Sequence, residues 1–189
     1  MNLPRRQRPI TATLCALLVL LASMSVNAPA QADSDEELLA LKVRAAFLFN
    51  FIKFVNWPPS KFVKPSDPLQ VCVLQPDPFG DILQNTLADK SVDGHALTLR
   101  RSARAADLRN CHLVYLGETD PVKLNNELAQ LAGNSILLVY ENSETLAGGG
   151  VRFTVNDRKL RFEVNLAETD RESLQLSSKL LSLADVVRQ

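Results

Sequence analysis

The chain has 189 residues, 46% hydrophobic and 22% charged, with 21 basic and 21 acidic side chains, the balance of one ordinary globular domain. No basic surplus is available to neutralise phosphates, so nucleic acid is not an expected partner.

Arg5, Arg6 and Arg8 precede an apolar run from Ile10 to Val26, and Ala30 and Ala32 fit an A-x-A cleavage site before Asp33. The pattern predicts a secretory signal peptide over 1–32 and a mature domain over 33–189, exported and soluble after cleavage. Ser23, Ser25 and Asn27 weaken the run as a retained anchor. Cys15 follows Leu14 rather than a small residue, which argues against a lipid-anchored cysteine. Removing the leader leaves 18 basic and 21 acidic residues.

The organising stretch of the mature chain is KVRAAFLFNFIKFVNWP, Lys42 to Pro58. Its spacing predicts a helix that is apolar around most of its circumference, with Lys42, Asn50, Lys53 and Asn56 on one narrow stripe. Such a helix must be covered on more than one side. The run is too short and too interrupted by Lys53 to span a membrane. Trp57-Pro58-Pro59 predicts its end, since a residue before proline is driven from helical geometry.

Leu69 to Leu74 reads as a buried strand. Asp77-Pro78 then predicts a capped helix start, with the helix running to about Ala88. Asp93-Gly94 marks a turn before a strand over Ala96 to Arg100. The plan repeats: a strand over His112 to Leu116, a helix opened by Asp120-Pro121 and closed by Gly133-Asn134, and a strand over Ser135 to Tyr140. Two strand–helix units in succession imply parallel crossovers. From Val151 the period changes to two, predicting a hairpin whose Val151, Phe153, Val155, Leu160, Phe162 and Val164 share one face. Thr169 and Glu172 have capping-box spacing and predict a last helix with Leu174, Ser177, Leu181, Ala184 and Val187 inward. The expected fold is therefore a single layered α/β domain: a mostly parallel central sheet, flanking helices, a C-terminal β-hairpin and a C-terminal helix.

Cys72 and Cys111 remain in the mature chain, and an oxidising compartment makes a disulfide the natural expectation. Closing that loop stabilises by about 4 kcal/mol in the chain-entropy model. The competing metal site with His112 is disfavoured, because adjacent strand residues point to opposite faces.

Signs of catalysis are sparse. His95 and His112 sit in no recognisable nucleophile setting, and no G-x-S-x-G turn occurs. Gly148-Gly149-Gly150 leads into a strand and suits turn or bulge geometry rather than a phosphate loop. Asp77, Glu118 and Asp120 gather at the C-terminal sheet edge and admit a cation or small-ligand reading, but Asp77 and Asp120 are already accounted for as helix caps. No catalytic residue, metal or cofactor is implied, and an enzyme is not expected.

Taken together, KVRAAFLFNFIKFVNWP, VCVLQPDPFG, GGGVRF, FEVN at Phe162 to Asn165 and LQLSSKLLSLADVV resemble the YfiR family of small periplasmic regulators, in order and over nearly the whole mature chain. The resemblance implies a repressor that binds the periplasmic sensory domain of an inner-membrane diguanylate cyclase, lowering cyclic-di-GMP and biofilm formation. It further implies a homodimer, and relief when an outer-membrane lipoprotein captures the repressor or its cysteines are reduced. Cys72 and Cys111 match family cysteine positions, while the second pair of the family pattern has no counterpart between Glu141 and Gly150. Phe47, Phe51, Phe54 and Trp57 are the candidate partner or dimer contacts, with core packing the alternative for each. A periplasmic small-ligand sensor is the alternative function.

Overall fold

The computed structural model describes residues 30–118, 120–141 and 149–188. The expected signal peptide over 1–32, except for its last three positions, lies outside them, as does Gly148. The chain divides into two compact units, Met1–Glu37 and Leu38–Gln189, and the sheet and both cores belong to the second.

A long helix, α1 (Ala30–Phe54), leads into a short strand, β1 (Val55–Asn56). Strand β2 (Leu69–Leu74) is followed by α2 (Asp81–Leu87), β3 (Ser91–Val92) and β4 (His95–Ser102). Next come β5 (Leu113–Leu116), α3 (Pro121–Leu131) and β6 (Leu137–Glu141), then the hairpin β7 (Val151–Asn156) and β8 (Lys159–Asn165). The chain closes with α4 (Leu166–Arg171), β9 (Gln175–Leu176), α5 (Ser178–Leu181) and β10 (Val186–Arg188). The main sheet has the order β10-β8-β7-β6-β5-β2-β4-β3. Its core, β4, β2, β5, β6 and β7, is parallel, while β7 with β8 and β3 with β4 are antiparallel. This is the layered, mostly parallel α/β architecture expected from the two strand–helix repeats.

Strands β2, β5 and β6 are buried on both faces, as their unbroken apolar runs require of central parallel strands. Alternation sends Val71, Val73, Leu113, Tyr115, Leu137 and Val139 to the face covered by α1 and α2. Cys72, Leu74, Val114, Leu116, Leu138 and Tyr140 face α3 and its Leu124, Leu128 and Leu131.

Three expectations need correction. Helix α1 stops at Phe54, short of Trp57, because Val55 and Asn56 pair with Leu176 and Gln175, and Ser177 N–H donates to the Phe54 carbonyl at 2.9 Å. Asp77 does not cap a helix. Its Oδ1 accepts from Phe79 N–H at 2.8 Å in a local turn, and α2 begins only after Gly80, whose φ of 51° suits a residue without a Cβ.

The C-terminal segment is not one helix over Thr169 to Val187. Asn165 caps α4, Thr169 is buried inside it, and Ser173 adopts a left-handed φ of 58° that ends it. Ser177 then caps α5, a single turn, and Val186 to Arg188 add to the sheet edge beside β8. Sheet pairing outcompetes helix extension because valines suit strands and Ser favours caps over helix interiors.

Candidate functional site

The aromatics of α1 divide into two kinds. Phe51 is fully buried, and its ring meets Phe153 at 5.6 Å and Phe162 at 5.1 Å between centroids. Trp57 is also buried, its Nε1–H donating to the His112 carbonyl at 3.0 Å. Both belong to the protein's own core, the alternative open for each of the four aromatics. Phe47 and Phe54 are half-buried: Phe47 packs edge-on to Phe153 and Phe162, and Phe54 lies beneath the Lys53 and Lys179 ammonium groups.

The outer stripe of α1 is less polar than its sequence suggested. Lys42, Asn50 and Lys53 are exposed, but so are Val43 and Ala46, and Leu39 is 61% exposed. Leu39, Val43, Ala46 and Asn50 follow one another at three- and four-residue spacing, so they share a face.

Cys72 and Cys111 are joined, with Cα atoms 6.1 Å apart and both residues fully buried. The bond lies on the α3 face, while the next residue, His112, faces Trp57 and Phe62. Strand alternation thus separates the two side chains, and the metal reading of Cys111 with His112 has no geometry behind it.

His112 is a hub. Its N–H donates to the Gln70 carbonyl at 2.9 Å, its carbonyl accepts from Leu137 N–H at 2.8 Å, and its Nδ1 accepts from Gln70 N–H at 3.0 Å. The ring packs 4.8 Å from Phe62, whose other neighbour is His95 at 4.5 Å. Burial, reinforced by the Lys61 and His95 charges, lowers the His112 pKa from 6.5 to about 4, keeping the imidazole neutral. Lys61 donates to the carbonyls of Arg109 and Asn134, and burial lowers its pKa to about 8 against the opposing pull of Glu172.

At the opposite end of the strands, Asp77, Glu118 and Asp120 follow β2 and β5, which are neighbours. Their oxygens serve the fold. Asp77 pairs with Arg101 at 2.6 Å, Glu118 accepts from Asp120 N–H at 2.9 Å, and Asp120 caps α3 by accepting from the Val122 and Lys123 amides. Beside them Arg44 of α1 reaches Glu141 at 2.5 and 3.2 Å, and the Tyr115 hydroxyl donates to the same carboxylate at 2.8 Å. Burial first and the Glu141 charge second push the Tyr115 hydroxyl far above its ordinary range. Sequence reasoning missed this trio. The one available signal was an arginine at the start of an otherwise apolar helical run.

Among the described residues no group of three or more His, Cys, Asp or Glu is placed to hold a metal ion, and no helix is long and apolar enough to cross a membrane. A family model described as YfiR/HmsC-like matches residues 41–185. The chain belongs to the YfiR/HmsC-like family. The match begins inside α1 and ends just before β10, so this YfiR/HmsC-like domain includes the buried aromatics of α1, the disulfide and the His112 hub. The family is one of regulators rather than catalysts. A comparison with curated proteins finds no match.

Proposed function

We propose that the mature chain is a periplasmic repressor that binds the sensory domain of an inner-membrane diguanylate cyclase, holds it inactive, and so lowers cyclic-di-GMP and biofilm formation. The observation that supports this is the YfiR/HmsC-like match across residues 41–185. A binding role also suits the surface: Leu39 and Val43 lie exposed one helical turn apart, flanked by the half-buried Phe47 and Phe54. Those four residues form the proposed contact face for cyclase or second copy, since Phe51 and Trp57 pack into the core. Capture by an outer-membrane lipoprotein would compete for the same protein. A small-ligand sensor acting at Asp77 and Asp120 has less support, because both carboxylates already serve the fold.

Deleting the gene should raise cellular cyclic-di-GMP, and the wild-type copy should restore the low level. Unchanged cyclic-di-GMP after deletion would end the repressor reading.

A further inference from the structure

At one end of the main sheet stands β3, which covers only the start of β4. It pairs Ser91 with Ala96 and Val92 with His95, and Leu97 N–H donates to the Lys90 carbonyl at 3.1 Å. On the inner side β2 accompanies β4 from Leu97 to Ser102, whose carbonyl accepts from Gln75 N–H at 2.9 Å. Backbone groups alternate sides along a strand. With Leu97 turned outward and Ser102 inward, Thr98 and Arg100 serve β2, while Leu99 and Arg101 face out. No described residue bonds the outward amide or carbonyl of Leu99 or Arg101. Unpaired backbone groups in a row along an edge strand are a template for an added strand.

The side chains determine what such a strand must carry. Leu97 and Leu99 lean on the core beneath α1 and α2, whereas Thr98 and Arg100 point to the other face and are exposed. Arg100, Arg101 and Arg104 cluster in this stretch. Arg101 pairs with Asp77 at 2.6 Å and Arg104 with Asp107 at 2.8 Å. Arg100 has no carboxylate within ion-pairing distance among the described residues, and Asp107 feels its charge only from farther off. Because Arg100 turns its backbone inward, the residue opposite it in an antiparallel partner takes a non-hydrogen-bonded position, where side chains approach closest. A second copy is a poor occupant. The open stretch from Thr98 to Ser102 is centred on Arg100, so two copies meeting about a two-fold axis would set that guanidinium against its own image, and like charges directly opposite oppose pairing. A carboxylate is the complement.

We propose that the free edge of β4 binds an extended acidic segment of a partner protein as an added antiparallel strand, continuing the row that β3 begins. Its backbone bonds Leu99 and Arg101, and a carboxylate lies against Arg100. The inference stands independently of the cyclase reading, which puts its contact face on α1.

A capped Glu-Val-Glu-Val-Glu peptide is the probe, since it sets a glutamate opposite Arg100 and valines opposite Leu99 and Arg101. In amide NMR of the oxidised protein, the Leu99 and Arg101 signals should shift saturably, with a Kd of about 1 mM or tighter, and their hydrogen exchange should slow. The valine amides would point at β4 and the central glutamate amide away from it. N-methylation of both valines should therefore abolish binding, and N-methylation of the central glutamate should leave it intact. Arg100→Glu should weaken the peptide about fivefold and favour its Lys-Val-Lys-Val-Lys counterpart. If that variant fails to fold, Thr98→Glu, on the same open face, is read instead. Unmoved amides, equal binding of the valine-methylated or lysine peptide, or unchanged affinity in the variant would each overturn the proposal. Concentration-dependent shifts of the same amides without peptide would assign the edge to a second copy and overturn it as well.

Discussion

The two faces of the central sheet are secured by different physics. Toward α1 the core is aromatic, with Phe47, Phe51, Phe153 and Phe162 packed ring against ring at 5.1 to 6.0 Å. Toward α3 the core is largely aliphatic, and the Cys72–Cys111 bond crosses it. The first face is indifferent to redox conditions. The second includes a bond that a reductant can break.

The largest expected effect comes from the aromatic face. Phe51→Ala should destabilise by about 3–5 kcal/mol, because a fully buried ring leaves a cavity its neighbours fill only in part. Urea titration of the oxidised protein measures it. On the other face, the Cys72→Ala/Cys111→Ala pair should lose about 4 kcal/mol. The decisive comparison is addition of reductant, which should lower the stability of wild type and Phe51→Ala alike and leave the double cysteine variant unmoved.

A pH titration probes the junction between the faces. The folded pKa of His112 is depressed to about 4 from an unfolded value near 6.5, so protons bind the unfolded chain more readily. Its contribution is complete above about pH 6.5 and lost as pH falls toward 4, up to about 3 kcal/mol. His112→Gln should flatten that window in a plot of unfolding free energy against pH. A slope that persists in the variant would assign it to other groups.

Smaller effects sharpen the same contrast. Asp120→Ala should cost about 1 kcal/mol, because the carboxylate caps α3 on the disulfide face. Val43→Ser, on the outside of α1, should change stability by less than about 0.5 kcal/mol while weakening repression in cells. Loss of stability with repression intact would place Val43 in the core and remove the contact stripe.

Much of this was legible in the amino-acid order. Apolar runs flanked by turn residues mark β2, β5 and β6, and the two-residue period of 151–164 marks the hairpin, because both patterns reflect burial of one or two strand faces. Asp120-Pro121 opens α3 as its chemistry predicts, whereas the same pair at Asp77-Pro78 does not open α2. There the carboxylate is claimed by Phe79 N–H and Arg101, a residue distant in sequence. Of the proposed site, the exposed stripe on α1 was visible in outline. The division of its aromatics was not, because the period of a helix apolar on nearly all sides does not tell which side meets the sheet.

The residue order by itself determined the alternation of layers and the presence of a greasy leading helix, since each follows from local periodicity and composition, and it pointed to the pairing of Cys72 with Cys111. Only the tertiary structure decided that Phe51 and Trp57 turn inward, that Glu141 receives both Arg44 and Tyr115, and that His112 ties β2 to β6. Those outcomes depend on which surfaces meet across the fold, and partners brought together from tens of residues apart leave no period in the chain.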